Sequence, residues 1–328
     1  MIFVEIEAHE HIHAILPSLK AFPMKIESYK SLKPLTWMKV GGPADYYTEV
    51  VTKEELRSAF SFAKEQDLPV IYLGQGSNMI VSDKGFRGLV IRLMNDEISW
   101  EAERAERGES DPSTGSESAE VHVQGGLILA KLLREARKRK LSGLDNFVGI
   151  PGTVGAAIRG NIGIPKEEFG EIVEEVECFD GKSFFTLKPE DCDFRYRGSK
   201  LKDEYWLVWS AVLKLRRGKP ALTDEWLLER LAKQPKGHSC GSFFKNPDPK
   251  NGIYAGQLIE TVGLKGKKRG GAFVSEVHGN FIMNDGTGTA TEILDLAREV
   301  KQKVLEKRGI LLENEVLLYN EKGKLIDL

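Results

Sequence analysis

The sequence predicts a mixed helix-and-strand protein of two domains, and three observations carry that expectation. At 328 residues the chain is too long for one small core and long enough for two or three. Strand-like runs such as VIYL, VHVQ and YWLVWSAVLKL alternate with stretches of helical spacing that carry their own capping signals. From Asn146 to Gly163 the chain reads NFVGIPGTVGAAIRGNIG, with glycines at 149, 152, 155, 160 and 163, so bare N–H groups can stand where side chains otherwise would. A plain connector would also be glycine-rich. Ile150, Val154, Ala156, Ala157 and Ile158 are apolar, however, which reads as a packed loop able to receive a flat or anionic ligand.

Hydrophobic residues make up 41% and charged residues 29%, an ordinary soluble balance. A net charge of −2 offers no field for nucleic acid, and the KGKKR run from Lys265 to Arg269 reads as a solvated turn. No apolar run reaches the roughly 18 residues a membrane span needs. The opening MIFVEIEAHEHIHAIL carries acids and histidines where a signal peptide needs a basic start and an unbroken apolar core, so a cytoplasmic protein is expected. Cys178, Cys192 and Cys240 are odd in number and lack metal-ligand spacing. His9, His11 and His13 would share one face of a strand, but no partner ligand at fixed spacing joins them, and no metal is expected.

In chain order, LTWMKVGGPADYYTEV gives two β-type runs broken at Gly41, Gly42 and Pro43. Thr52 with Glu55 is a capping box, and Leu56, Phe60 and Ala63 recur at helical spacing to about Gln66. VIYL then runs as a buried strand into Gly74-Gln75-Gly76-Ser77-Asn78. The following MIVSDKGFRGLVIRL is strand and turn, which excludes the dinucleotide fingerprint that opens a helix at its third glycine. Phosphates here would have to be held by loop amides and the Ser77 and Asn78 side chains. Residues 101–120 carry almost no apolar side chain and read as a flexible loop. VHVQ, Gly125-Gly126 and a helix from about Leu127 to Arg139 lead into the glycine-rich stretch.

Beyond it, EIVEEVECF and KSFFTL form a hairpin around Asp180-Gly181. In DCDFRYRGSKLK, an extended segment would point Arg195 and Arg197 the same way, with Tyr196 opposite. The linker RRGKPALT marks a domain boundary before a helix that starts near Asp224 and buries Trp226, Leu227, Leu228 and Leu231. Ser242 follows a glycine in HSCGSFFKNP, but no G-x-S-x-G elbow is present and a hydrolase serine is not supported. AGQLIETVG reads as a short helix ended by Gly263, and GGAFVSEVHGNFIMN as strand-rich. Thr289 with Glu292 opens a helix with Ile293, Leu296, Val300 and Val304 on its buried stripe, closed by Gly309. ILLENEVLLY reads as a strand in which Glu313 and Glu315 share a face, and acids there need a partner or a role.

GQGSN, GIPGTVG, DFRYRGS, CGSFFKNP, VHGNFIMN and LLENEV stand in that order between about Leu35 and Tyr319. With them the chain resembles the UDP-N-acetylenolpyruvoylglucosamine reductase family, the flavoenzymes of peptidoglycan precursor synthesis also called UDP-N-acetylmuramate dehydrogenases. The resemblance implies an α+β protein: a vanillyl-alcohol-oxidase-type (PCMH-type) FAD-binding fold of two lobes, then a smaller α+β substrate-binding domain. The corresponding bounds are 1–217 for the FAD-binding domain, with lobes over roughly 1–86 and 87–217, and 218–328 for the substrate domain. The implied reaction is NADPH-dependent reduction of UDP-N-acetylglucosamine enolpyruvate to UDP-N-acetylmuramate through bound FAD.

Carried over motif by motif, FAD falls on Gly74, Gln75, Gly76, Ser77 and Asn78 and on Gly149, Ile150, Pro151, Gly152 and Gly155. The family's proton donor falls on Ser242 and its other two catalytic positions on Arg197 and Glu315. Substrate contacts fall on Asn246, His278, Lys233 and Tyr196. A monomer is expected, with no metal and no nucleic-acid or membrane partner. Ala156 departs from the family's usual second consecutive glycine, which would cost about 1 kcal/mol or more only at positive φ. Ile162 and Ile164 replace smaller or aromatic residues. About seven residues between Pro247 and Ala255 match the subtype without an extra substrate-covering loop. The same flavin fold also serves hydroxy-acid and alcohol oxidases or dehydrogenases, against which Ser242 and LLENEV argue.

Overall fold

The computed structural model describes residues 24–100, 118–164, 167–218, 232 and 234–328, and its main sheets follow the chain in three segments. The first segment holds β1 (Ile26–Ser31), β2 (Pro43–Val50), α1 (Lys53–Glu65), β3 (Val70–Leu73), β4 (Met79–Val81) and β5 (Phe86–Leu93). Its sheet has the order β1-β2-β5-β3, with β5 parallel to both β2 and β3. Parallel neighbours need a crossover, and α1 supplies one, started by the expected capping box: Thr52 Oγ1 accepts the Glu55 N–H at 3.2 Å, and the Glu55 carboxylate accepts the Thr52 N–H at 3.0 Å. The run from Leu35 to Val40 departs from the expected strand. A short 3-10 turn over Lys33–Leu35 contains Pro34, and Lys39 takes a φ of 57°, which together turn the chain instead of extending it.

The second segment carries β6 (Ile98–Trp100), β7 (Ser118–Gln124), α2 (Leu129–Lys138), β8 (Leu141–Ser142), α3 (Val154–Gly160), the two-residue strands β9 (Gly163–Ile164) and β10 (Glu167–Glu168), β11 (Val173–Phe179), β12 (Phe184–Leu187), α4 (Lys200–Asp203) and β13 (Leu207–Arg217). Its antiparallel sheet has the order β12-β11-β13-β7-β6, with β8 beside β13. The last three residues of the loop expected at 101–120 belong to β7. Residues 101–117, the alternating histidines at 9, 11 and 13, and the helix expected near Asp224 lie outside the described residues.

The third segment holds β14 (His238–Ser242), α5 (Ala255–Thr261), β15 (Lys268–Arg269), β16 (Ala272–Val274), β17 (Phe281–Asn284), α6 (Ala290–Arg308) and β18 (Leu317–Tyr319). The sheet order is β14-β17-β16-β15, and α6 runs from its Thr289 capping box to Gly309 at φ 68°. Residues 310–316 are irregular, so the expected long strand shrinks to β18. That strand leaves its own segment and pairs in parallel with β4.

Packing ties the segments together. Val50, Leu56, Leu89 and Ile91 of the first share a core with Phe179, Leu207 and Trp209 of the second. Buried Asn95 bridges them, donating to the Trp209 carbonyl at 3.0 Å and accepting the Gly126 N–H at 2.9 Å. Met38, Val40 and Ile80 enter the core lined by the apolar stripe of α6. All three cysteines are buried and free. No helix among the described residues is long and apolar enough to cross a membrane.

Candidate active site

β3 ends where the chain must turn without a following helix, and the Gly74–Asn78 loop forms there. Gly76 sits at φ 62°, and a Cβ on it would run into the Leu35 carbonyl oxygen. Among the described residues, none of the N–H groups of Gln75, Gly76, Ser77 and Asn78 donates to a protein acceptor. Amides left without a protein acceptor in such a glycine turn can receive an anion.

The stretch from Asn146 to Gly163 is not entirely the packed loop expected: it contains α3. Thr153 caps this helix, accepting the Ala156 N–H at 3.4 Å. Gly155 presses on the neighbouring backbone, where an added Cβ would stand 2.9 Å from the Gly125 oxygen. Ala156 lies within α3 and outside the left-handed region, so its methyl carries no backbone penalty. The two loops grip each other. Gln75 Oε1 accepts the Gly152 N–H at 3.0 Å, and the Ser77 hydroxyl donates to the Pro151 carbonyl at 3.4 Å.

Between the loops opens a cleft lined by residues of all three segments. Gly74 to Asn78, Pro151, Gly152, Gly155, Ala156, Arg197 and Glu315 all line it. Gly149 and Ile150 do not reach it. They line an adjoining cavity that shares Gln75 and Pro151 as its wall.

Arg197 and Arg195 diverge, contrary to the extended reading. The chain reverses between Arg195 and Gly198, whose backbones exchange hydrogen bonds of 3.0 and 2.9 Å, and Arg197 takes a φ of 57°. Arg195 goes outward to Asp193 and Asp203. Arg197 goes inward: its Nε lies 2.7 Å from Glu315 Oε1, with both side chains about four-fifths buried. The Nε–H is not aligned for a hydrogen bond, so the contact is an ion pair. Glu313 and Glu315 also part, Glu313 facing solvent beside Lys245 at 3.1 Å. Burial pushes the Glu315 carboxyl above the usual carboxylate range, against the opposing pull of Arg197 and Lys202.

Ser242 ends β14, half-buried, and is not among the residues lining the cleft. It adjoins it through Phe243, whose carbonyl accepts the Glu315 N–H at 2.9 Å. The Tyr196 hydroxyl accepts the Asn246 N–H at 3.2 Å, while the Asn246 side chain accepts the first N–H of α5 at 3.1 Å. His278 lies off the cleft. Its Nδ1 accepts the Asn280 N–H at 3.1 Å, and burial lowers its pKa and favours the neutral ring. Lys233 lies outside the described residues.

Several cleft residues escaped sequence reasoning: Tyr72, Arg159, Lys202, Tyr205 and Tyr319. Tyr72 stacks on Tyr205 with ring centroids 5.1 Å apart, Arg159 lies over Tyr205 at 4.9 Å, and the Tyr205 and Tyr319 hydroxyls meet at 3.5 Å. Burial raises all three phenols, which stay neutral. No motif announces them, because the tyrosines come from three segments of chain.

Comparison with known proteins adds an independent line. Residues 233–319 match the family described as UDP-N-acetylenolpyruvoylglucosamine reductase, C-terminal domain, and residues 44–183 match an FAD binding domain. The chain is 39% identical over 310 residues to UDP-N-acetylenolpyruvoylglucosamine reductase 2 of Symbiobacterium thermophilum, covering 93% of this chain and 95% of that one. It is 35% identical over 289 residues to the Clostridioides difficile reductase, covering 86% and 90%. The crystal structure of UDP-N-acetylenolpyruvylglucosamine reductase from Thermus caldophilus matches with a TM-score of 0.69 and 36% identity, covering 90% of this chain and 99% of that one.

Proposed function

The chain belongs to the UDP-N-acetylenolpyruvoylglucosamine reductase family, and from that premise we propose that Arg197, Glu315 and Ser242 carry its substrate chemistry. The enzyme is an FAD-dependent oxidoreductase that reduces UDP-N-acetylglucosamine enolpyruvate to UDP-N-acetylmuramate at the expense of NADPH. Its architecture is the PCMH-type FAD-binding fold followed by the family's C-terminal α+β domain. The single observation that carries the residue assignment is the buried Arg197–Glu315 pair in the wall of a cleft floored by two glycine loops.

The residues present suit FAD. The free amides of Gln75 to Asn78 fit a diphosphate, and Gly152, Gly155 and Ala156 leave a low wall for a flat ring. The adjoining cavity behind Gln75 and Pro151, with Gly149 and Ile150 in its lining, gives a dinucleotide room to continue. When bound, FAD would supply the hydride-transfer chemistry between NADPH and the vinyl group of the substrate.

Charge that develops beside the substrate carboxylate requires a cation, and the planar fork of Arg197 suits a carboxylate. Ser242 delivers the proton that completes the reduction. As a weak acid it depends on fixed placement rather than on a matched pKa, which the Phe243–Glu315 backbone bond favours. Glu315 orients Arg197 and limits the local excess of positive charge. Tyr196 and Asn246, joined across the two parts of the chain, and Lys233 are assigned to the sugar nucleotide. His278, off the cleft, is assigned to supporting the β17 turn. The domain bounds 1–217 and 218–328, a monomeric state and a cytoplasmic location belong to the same proposal.

Stopped-flow half-reactions test it. Ser242→Ala should keep reduction of the flavin by NADPH and slow reoxidation by the enolpyruvyl substrate by about 10²-fold or more, the usual scale of a general acid. Equal slowing of both halves would remove Ser242 from the proton step. Oxygen uptake with a hydroxy acid, without substrate-dependent NADPH oxidation, would instead favour an oxidase.

A further inference from the structure

Arg197 occupies a turn position whose left-handed backbone is rare for so large a side chain. Its neighbour Arg195 turns to solvent-facing carboxylates, so local sequence alone does not aim Arg197 inward. Lys202, five residues on, reaches back from α4, and its Nζ donates to the Arg197 carbonyl at 3.1 Å. Lys202 is itself held on two sides. Its N–H donates to Ser199 Oγ at 3.3 Å, and its carbonyl accepts Arg159 Nη2 at 3.3 Å. The Ser199 hydroxyl closes the brace by donating to the Arg159 carbonyl at 2.7 Å.

We propose that Lys202 is a positioning residue for the reduction: its ammonium clamps the Arg197 carbonyl and keeps the left-handed turn that aims the guanidinium at Glu315. Arg159 and Ser199 fix Lys202 in turn. The inference rests on the assignment of Arg197 as the substrate-facing cation. Burial depresses the Lys202 amine below the ordinary lysine value, and Lys245 and Arg159 act in the same direction, while Glu315 and Asp203 oppose them. An amine kept in such surroundings has a specific partner, and the Arg197 carbonyl is the one it bonds.

A double-mutant cycle on the FAD-loaded enzyme tests this, reading the rate of flavin reoxidation by UDP-N-acetylglucosamine enolpyruvate in wild type, K202M, R197A and K202M/R197A. K202M should slow reoxidation by about 10- to 100-fold, and K202R should restore most of it. The double variant should fall within about twofold of R197A, because residues acting as one unit do not add. In a crystal structure of K202M, Arg197 should return to negative φ and leave Glu315. K202Q, shorter and polar, repeats the measurements should K202M fold poorly.

Losses that multiply across the cycle would overturn the proposal, since Lys202 would then act independently of Arg197. A K202M or K202Q enzyme with wild-type rate, or one that keeps the left-handed φ and the Glu315 contact, would overturn it too. Normal reoxidation by R197A alone would instead overturn the assignment of Arg197 on which the inference stands.

Discussion

The Arg197–Glu315 pair is unequal in its electrostatics, and that inequality is measurable. Desolvation outweighs the pull of Arg197 and Lys202, so the folded protein holds the Glu315 proton more tightly than the unfolded chain does. Stability from this group is therefore present at acid pH and is lost as pH rises from the ordinary glutamate range through the folded-state value. Glu315→Gln removes that dependence. The difference in melting temperature, variant minus wild type, should grow in the variant's favour as pH rises above the ordinary glutamate value of about 4.3. A difference that stays flat with pH would show that Glu315 titrates normally. Arg197 and Glu315 were legible as residues, through the motifs that contain them, while their geometry was not. A two-residue alternation says where side chains point only if the backbone is extended, and the chain reverses between Arg195 and Gly198. Lys202 left no trace in the sequence because its partner is a main-chain carbonyl, which any residue supplies.

At the scale of elements, local signals were readable and nonlocal ones were not. The capping boxes of α1 and α6 lie within four consecutive residues, and both form as expected. Helix α3 stayed hidden because glycine lowers helix propensity and seven residues are too few to nucleate alone. It depends on bonds from outside itself, Val154 N–H to the Leu127 carbonyl at 2.8 Å and Gly155 N–H to the Gly125 carbonyl at 2.9 Å. The start of α6 has a second such anchor. The Asp83 carboxylate, from the turn after β4, accepts the Ala290 and Thr291 N–H groups and the Thr291 hydroxyl, each at 2.8 Å. It thus caps a helix roughly 200 residues away in sequence, adding a negative charge where the helix dipole favours one. Asp83→Ala should cost about 1–2 kcal/mol and Asp83→Asn less. Urea titration should show the loss as a lower midpoint with unchanged slope. A shift below about 0.5 kcal/mol, the usual scale of surface substitutions, would show that the contact is not a true cap.

At the scale of the molecule, the stretch 218–328 reads as a domain by sequence, yet its structure is completed by the N-terminal lobe. The core around Ile293, Leu296, Val300 and Val304 includes Met38, Val40 and Ile80. The Asn284 side chain donates to the Met38 carbonyl at 2.8 Å, and β18 has β4 as its ladder partner. A chain reading cannot anticipate this, because β18 joins a strand more than two hundred residues earlier and its apolar pattern would suit any sheet edge. Cut free, the C-terminal segment would expose that apolar surface and an unpaired strand edge, and its α6 would lose the Asp83 anchor. Marginal stability of about 5–15 kcal/mol for a domain does not absorb three such losses. A fragment of residues 218–328 should therefore show no cooperative thermal transition, whereas the whole chain should unfold in one step that rises with added FAD, as binding to the folded state alone requires. A sharp transition in the isolated fragment would make the C-terminal domain autonomous. The placement of Glu315, fixed on one side by Phe243 and on the other by the Asn78 side chain at 3.2 Å from its carbonyl, would then depend on docking of two separately folded parts rather than on a shared core.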